Sequence, residues 1–552
     1  MVKFKNISSD IYFRLFLIFI VVIIGIPLYS YVFTGDRVHL SDDMMQEYLS
    51  HGIFRESILK YKRFPLWSPY IGGGYPLYAH PHDASMVLPL TIPVLLFGEV
   101  LGIKINILIL YLLGILGVFL CSREFFSGNK FAVFLATLIY APSVFFVNRL
   151  MSGNYNELFI FAFPFILYFY EKGKKKPFSF LISALLMVMY VFFAKFSFLT
   201  VMFFLFIFSL AQIIAIRMQN KQPINYKPIT YFVVFGLFVA LISIVKSIPM
   251  YGLLKKTLYF QSESMNLNIA RLLSYKNAGS LGCFLLALLT GKAYILSLRF
   301  FNSKSPLAKR YIPIIKVSFL LLPLFLAINF YGYKRDFQIV KVAQVPIEKE
   351  FHQIYGVWLS EDRGLVKSKE MHRSGLRTLH SLGYLNFLRK VGTIDWYDDK
   401  LTIDSNVIPR YLVPCYGYGN KFPQSFIVTK DVAFPNVDYH GEAYVRGGSG
   451  EVKGFEIEPN RLLIKFDANG PAKIIVNQNY ESSWVASEGM VKEKNGLILL
   501  EVDGSGLKEI VLSYHPKIFY VSLFVTLISL LVSIYLVGYN KNFRNFISYR
   551  KV

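Results

Sequence analysis

"IYFRLFLIFIVVIIGIPLYSYVFTGDRVHLSDDMMQEYLSHGIF", Ile11 to Phe54, changes character in its middle. Ile11 to Phe33 is an apolar run of about twenty residues, the length that crosses a bilayer as a helix. It has no small-residue cleavage site, and more such runs follow, so it reads as a signal anchor and not a removed signal peptide. Ser41 to Phe54 then gathers Asp42, Asp43 and Glu47 in a chain that otherwise avoids acids.

The composition agrees with a membrane chain. Of 552 residues, 54% are hydrophobic, and the mean hydropathy is +0.44, too apolar for an ordinary water-soluble protein. The formal net charge is +24, which on a soluble protein would suggest nucleic acid. Its location argues otherwise. Residues 331–515 hold 23 basic and 23 acidic side chains, and the remainder, with 36 basic against 12 acidic, carries the whole excess. Positive charge interleaved with apolar runs marks membrane topology and contact with anionic lipid, so no nucleic-acid partner is expected. Cys121, Cys283 and Cys415 are the only cysteines and offer neither a disulfide framework nor a CxxC metal site.

Further apolar runs recur near 102–121, 130–148, 155–171, 178–194, 196–216, 229–249, 279–298, 311–330 and 517–538, which with the first makes about ten transmembrane helices. Residues 84–97 are apolar but short and broken by Pro89 and Pro93, the pattern of a re-entrant or interfacial helix. With the N-terminus inside, the most basic loops, "EKGKKKP", "RMQNKQPINYK", "RFFNSKSPLAKRY" and the tail "KNFRNFISYRKV", all fall in the cytoplasm. Both termini are then cytoplasmic, and residues 34–86, 149–154, 250–278 and 331–516 face outward. The expected domains are a transmembrane domain 1–330 with outer loop 34–86, an extracytoplasmic domain 331–516, and a final helix with basic tail 517–552. From about Asn406 the outer domain shows short β-rich runs such as "RLLIKFDANGPAKIIVNQNY" and "GLILLEVDGSGLKEIVLSYHP". These predict a sandwich-like β module, with a helical stretch around 361–390. "GGG" at Gly72–Gly74 does not sit between a strand and a helix, so it is no phosphate loop.

Six of the twelve acids outside 331–515 lie in the loop 34–86: Asp36, Asp42, Asp43, Glu47, Glu56 and Asp83. His39, His51, His80 and His82 lie there too. Arg149, Lys195, Lys246, Lys255, Lys256, Arg271 and Lys276 fall at or near the same outer face. Carboxylates facing cations at the outer membrane surface suit transfer from a lipid-linked sugar phosphate. Cations stabilise the developing phosphate charge, and a carboxylate takes the proton of the attacking hydroxyl. The alternatives are a solvated loop, or an amphipathic helix on the interface, since Met45, Leu49 and Ile53 recur at helical spacing.

The order "DDMMQEY…PLWSPYIGGGYPLYAHPHDASMVLPLTIPVLLFG" resembles the first outer loop of GT-C-type glycosyltransferases, in particular the YfhO-like bacterial membrane proteins. In that family an Asp precedes Gln and an aromatic residue, followed by a Pro-Leu-Trp-Asn-Pro-like stretch, Gly-x-Pro and a proline-bearing helix. Asp42 stands four residues before Gln46, and Pro65, Leu66, Trp67, Pro69, Gly74 and Pro76 follow in order, with Ser68 where Asn is frequent. "NRLMSGNYNELFIFAFPFILYFYEKG" looks like the family's second outer loop and next helix. "IIVNQNYESSWVAS" is similar to its outer-domain "NQxYxPGW" stretch, with Ser482 and Ser483 in place of Pro and Gly.

The resemblance implies a GT-C-like fold and an inverting glycosyltransferase of the cell membrane. Its donor would be a polyprenyl-phosphate sugar and its acceptor a cell-surface glycopolymer or glycolipid. It also implies an Asp of the first outer loop as base, Asp42 or Asp43, with the Gln46 spacing favouring Asp42. On a helix the two point about 100° apart, so only one can enter a cavity. Gln46, Glu157, Arg149, Lys195, Lys255, Lys256 and Arg271 complete the candidate substrate-binding set. Glu157 is costly inside a helix end unless it faces a cavity, or it snorkels to the interface. His80, His82 and Asp83 form an HxHD cluster whose residue types suit a divalent cation such as Mg or Mn, if the segment is extended. A lipid or polysaccharide transporter and a non-catalytic envelope-assembly protein are the rival readings. The first should carry ionisable groups deep in several helices or inverted repeats, and the second would not need Asp42, Asp43 or Glu157.

Overall fold

Helices form over the apolar runs, and their ends follow local chemistry. The computed structural model describes residues 37–39, 42–69, 74–80, 87–127, 129–141, 146, 149–150, 155–193, 197–220, 226–255, 284–296, 339–341, 353–355, 379–381, 426–428, 433–435, 443–494 and 497–548. In chain order the helices are α1 (Asp42–Leu59), α2 (Leu88–Phe125), α3 (Lys130–Tyr140), α4 (Tyr155–Leu158), α5 (Phe163–Gly173), α6 (Pro177–Phe193), α7 (Ser197–Asn220), α8 (Lys227–Ile242), α9 (Ile244–Lys255), α10 (Phe284–Leu296), α11 (Lys517–Gly538) and α12 (Lys541–Ile547). Proline occupies the first turn of α2, α5 and α8, where its missing N–H costs nothing. Asn129 caps α3 by accepting from the Ala132 amide at 3.1 Å, and Asn540 caps α12 by accepting from Phe543 at 2.9 Å. The expected runs 11–33 and 311–330 lie outside the described residues.

Among the described residues, two helices are long and apolar enough to cross a membrane, Pro89–Phe125 and Lys517–Gly538. A third span results if Lys227–Ile242 and Ile244–Leu253, bent by 72°, are taken together. The first of these is itself broken. Gly98 adopts φ 86°, and the segment before it folds back on the segment after it. Asn106 donates to the Leu90 carbonyl at 2.6 Å, sixteen residues away, which a straight helix would hold some 24 Å off. A Cβ at Gly102 would overlap the Val94 backbone, so glycine permits this close crossing. The short proline-broken segment is thus a separate arm before the long helix, as its sequence implies.

α11 is polar toward the protein and apolar outward. Ser522, Thr526 and Ser533 are buried, while Val521, Phe524 and Leu531 are 63%, 64% and 67% exposed. Its serines satisfy themselves locally: Ser529 donates to Val525 O and Ser533 to Ser529 O at 2.8 and 2.7 Å. That pattern suits a helix in contact with an apolar medium. The helical core is strongly aromatic. Phe161 stacks on Tyr111 and Tyr140, and the Tyr140 hydroxyl donates to Phe161 O at 2.8 Å. That carbonyl lies in the 3-10 turn Phe159–Ala162 joining α4 to α5, where helical partners are lost.

The C-terminal part is a β-sheet domain. Strands β1 (Arg37–His39) and β2 (Ile339–Lys341), β3 (Gln353–Tyr355) and β4 (Leu379–Ser381), and β5 (Phe426–Val428) and β6 (Ala433–Pro435) form antiparallel pairs. The helical stretch expected around 361–390 is therefore strand at Leu379–Ser381. The main sheet has six antiparallel strands: β7 (Ala443–Glu458), β8 (Arg461–Asn479), β9 (Trp484–Ala486), β10 (Met490–Lys494), β11 (Leu497–Val502) and β12 (Ser505–Tyr514). β8 is long enough to pair twice, with β12 over Arg461–Asn469 and with β11 over Ala472–Asn479, while β7 runs along its other edge. The sandwich expected from sequence is thus one sheet, bulged in β7 at Val445/Gly447 and Gly448/Gly450. Alternate residues Leu462, Ile464, Phe466, Ala472 and Ile474 join Ile498 and Leu512 in a single apolar cluster.

This sheet is docked on residues 64–74, between α1 and α2. Asn460, in the left-handed region at φ 62°, accepts from the Leu66 and Trp67 amides and donates to Phe64 O, each at 2.7 Å. Gln478 donates to Pro69 O at 3.3 Å and Asn479 to Gly74 O at 2.6 Å. Trp67 is fully buried, its ring 5.3 Å from Trp484 and 4.9 Å from Tyr514. Trp484 is therefore core. The β1–β2 pair ties the start of the loop to the start of the outer segment. Among the described residues, the stretch 64–74 is in contact with the sheet through Asn460, Gln478 and Asn479.

Candidate functional site

α1 turns a polar face inward. Glu47, Ser50, His51, Phe54 and Ser57 recur at helical spacing on one side, and their exposures are 6%, 6%, 0%, 2% and 0%. An amphipathic helix lying on an interface would bury apolar residues and leave these in water. Only Ile53 of the expected apolar stripe has a described side chain, and it packs on Tyr75 and Leu77.

The buried face meets α2 and α4. Asn156 donates to Glu47 Oε1 at 2.6 Å. His51 Nδ1 lies 2.8 Å from the Glu47 carbonyl oxygen and 3.8 Å from Glu47 Oε2. A carbonyl only accepts, so Nδ1 carries the proton. The Tyr155 ring stands edge-on to His51, with centroids 5.8 Å apart, and its hydroxyl faces the Glu47 charge and the Asn106 side chain. Asn106 in turn holds the folded-back arm through Leu90. A buried carboxylate, imidazole, phenol and two amides therefore converge where α1, the bend of α2 and α4 meet. Such a set can accept a proton, hold an oriented hydroxyl and resist ionic disorder, because each member is tied to another.

Beside it, Arg149 Nη1 lies 2.9 Å from Glu157 Oε2, both groups being largely buried. Tyr190 of α6 faces the Glu157 charge, and its ring stacks on Phe159 at 5.3 Å. So the Arg149 and Glu157 singled out in sequence form one pair, next in the chain to Asn156. On the outer loop, burial pushes the Tyr78 phenol well above its ordinary range; the Glu481 charge adds to this and a hydrogen bond with Tyr514 opposes it.

The remaining expected residues separate. Asp42, Asp43 and Gln46 have described backbone in the first turns of α1, and their side chains lie outside the described set. Asp43 is one helical turn before Glu47, whereas Asp42 precedes Gln46 by the same step. Lys255 ends α9 with its side chain outside the described set, and Lys195, Lys256 and Arg271 lie wholly outside it. Of the HxHD cluster, His80 is buried with its ring 5.0 Å from Tyr75, and His82 and Asp83 lie outside the described residues. Among the described residues no three metal-ligating side chains come together.

Sequence reasoning had placed Glu47 and His51 in the acid-rich loop without assigning either a role. It missed Asn156, Asn106, Tyr190 and the fully buried Lys104 altogether. The signal for Lys104 and Asn106 was present: a cation and an amide inside a long apolar run. Tyr190 carried none, since tyrosine is common at helix ends. Neither a family model, nor a curated protein, nor a solved structure matches the chain.

Proposed function

We propose that the chain is a polytopic membrane glycosyltransferase of GT-C type, with about ten spans, acting at the outer face of the cytoplasmic membrane. It transfers a sugar, with inversion, from a polyprenyl-phosphate donor to a glycopolymer or glycolipid. The outward apolar face of α11 supports membrane contact, and the resemblance of the outer loop supports the reaction class.

The observation that carries the reading is the buried group of Glu47, His51 and Asn156 on the inward face of α1. A chain would not keep a carboxylate and an imidazole out of water, at a cost of several kcal/mol when imperfectly paired, without use for them. Asp43 precedes Glu47 by one turn, so the register favours Asp43 over Asp42 as base, against the order suggested by Gln46. In this reaction the acceptor oxygen attacks the anomeric carbon and its proton passes to the Asp43 carboxylate. The bond from that carbon to the phosphate oxygen breaks, and polyprenyl phosphate leaves with its charge stabilised by outer-face cations. Glu47, fixed by Asn156, holds α1 against α4.

Radiolabelled sugar transfer in proteoliposomes tests this, with wild type, Asp42→Asn and Asp43→Asn compared at equal insertion. Transfer by wild type that collapses in one aspartate variant supports the enzyme. Equal transfer by all three removes the carboxylate from the chemistry.

A further inference from the structure

Tyr190 is 0% exposed, and its hydroxyl has no hydrogen-bond partner among the described residues. Beside it, Glu157 Oε2 touches Arg149 Nη1 at 2.9 Å, but this charge contact is not aligned as a hydrogen bond, so Oε2 is also left without one. A buried hydroxyl without a partner beside a charge pair is uncommon, because it costs about 1–3 kcal/mol when unsatisfied. Something polar is expected between them.

The chemistry of the gap limits what that is. Tyr190 offers an O–H donor, Glu157 an acceptor, and Arg149 a further donor already balanced by the carboxylate. A phosphate has acceptors only and would face the Glu157 charge, so this pair is a poor phosphate grip. A hydroxyl group fits, because it donates to Glu157 while accepting from Tyr190. The ring of Tyr190 is held by stacking on Phe159, which fixes the direction of its O–H. We infer that Glu157, Tyr190 and Arg149 form a subsite that binds a hydroxyl of a saccharide. This rests on the glycosyltransferase reading for the origin of the sugar, and it moves Arg149 from phosphate to sugar recognition.

The test uses Tyr190→Phe in the full chain, which removes one oxygen and nothing else. Because that oxygen lacks a partner, the melting temperature in detergent should stay equal or rise, unlike the loss of a structural hydrogen bond. In transfer assays the variant should raise KM for the sugar substrate about 3- to 10-fold, with kcat within about twofold, the scale of one hydrogen bond. It should also lose discrimination against a deoxy analogue lacking the bound hydroxyl. A second measurement does not depend on transfer. Thermal stabilisation of the ligand-free protein by methyl glucoside, galactoside, mannoside and N-acetylglucosaminide should be present in wild type for at least one probe and reduced in Tyr190→Phe. A difference between the two proteins in either measurement supports the subsite, and equality in both overturns it. If wild type transfers no sugar yet shows the glycoside effect, the subsite stands and the transferase reading fails.

Discussion

Asn460→Ala is expected to release the outer loop from the β-sheet domain. The side chain makes three 2.7 Å hydrogen bonds, from Leu66 N, from Trp67 N and to Phe64 O. At about 1 kcal/mol net each, their loss weakens docking by about 3 kcal/mol. Asn460 also sits at φ 62°, where alanine is disfavoured by about 1–2 kcal/mol. The combined effect is about 4–5 kcal/mol, a rise of about 10³-fold in the local opening equilibrium. Hydrogen–deuterium exchange of the peptide containing Leu66 and Trp67 reads this directly, since both amides lose their acceptor. Asn460→Gly separates the two contributions: it keeps the backbone conformation and should accelerate exchange about tenfold less than Ala. If both variants leave the Leu66 and Trp67 amides protected within threefold of wild type, the sheet does not hold the loop. If Ala and Gly behave alike, the left-handed conformation contributes nothing.

Three further outcomes are expected. Asp43→Asn should cost about 10²-fold or more in sugar turnover, the scale of a lost general base, with Asp42→Asn much milder; the reverse order would return the base to Asp42. Gly74→Ala should be strongly destabilising, because at φ 87° its Cβ would overlap the Trp67 indole, and a melting temperature within 1–2 °C of wild type would refute the packing of that turn on Trp67. Lys195→Ala should lower donor use at least tenfold, as one charge-assisted contact is worth about 1.5–3 kcal/mol, whereas unchanged donor kinetics would confine Lys195 to topology.

Much of the architecture was legible in local pattern. The run 517–538 predicts the helix Lys517–Gly538, because a strongly apolar stretch whose only charge is Lys517, bounded by Pro516 and Gly538, has the length and composition of a spanning helix. The β-rich runs from Arg461 onward announce their strands through period-two alternation, and the short apolar segment 84–97 announces an arm before the long helix, although the chain breaks at Gly98 and not at Pro89 or Pro93. The crowding of acids into residues 34–86 also stands in the sequence itself. Tertiary structure decided the rest. Whether α1 buries Met45 and Leu49 or Glu47 and His51 depends on which neighbour it meets, and Asn156, 109 residues away, makes the polar face the inward one. Nothing near Trp67 indicates that Asn460, 393 residues on, will clasp its amide. The resemblance drew attention to the Pro-Leu-Trp stretch, and only the tertiary structure shows that its described contacts join it to the sheet. Periodicity reports which side of an element is unlike the other. Which side is buried, and which distant group shares its charge, is set by contacts between segments that the chain brings together only on folding.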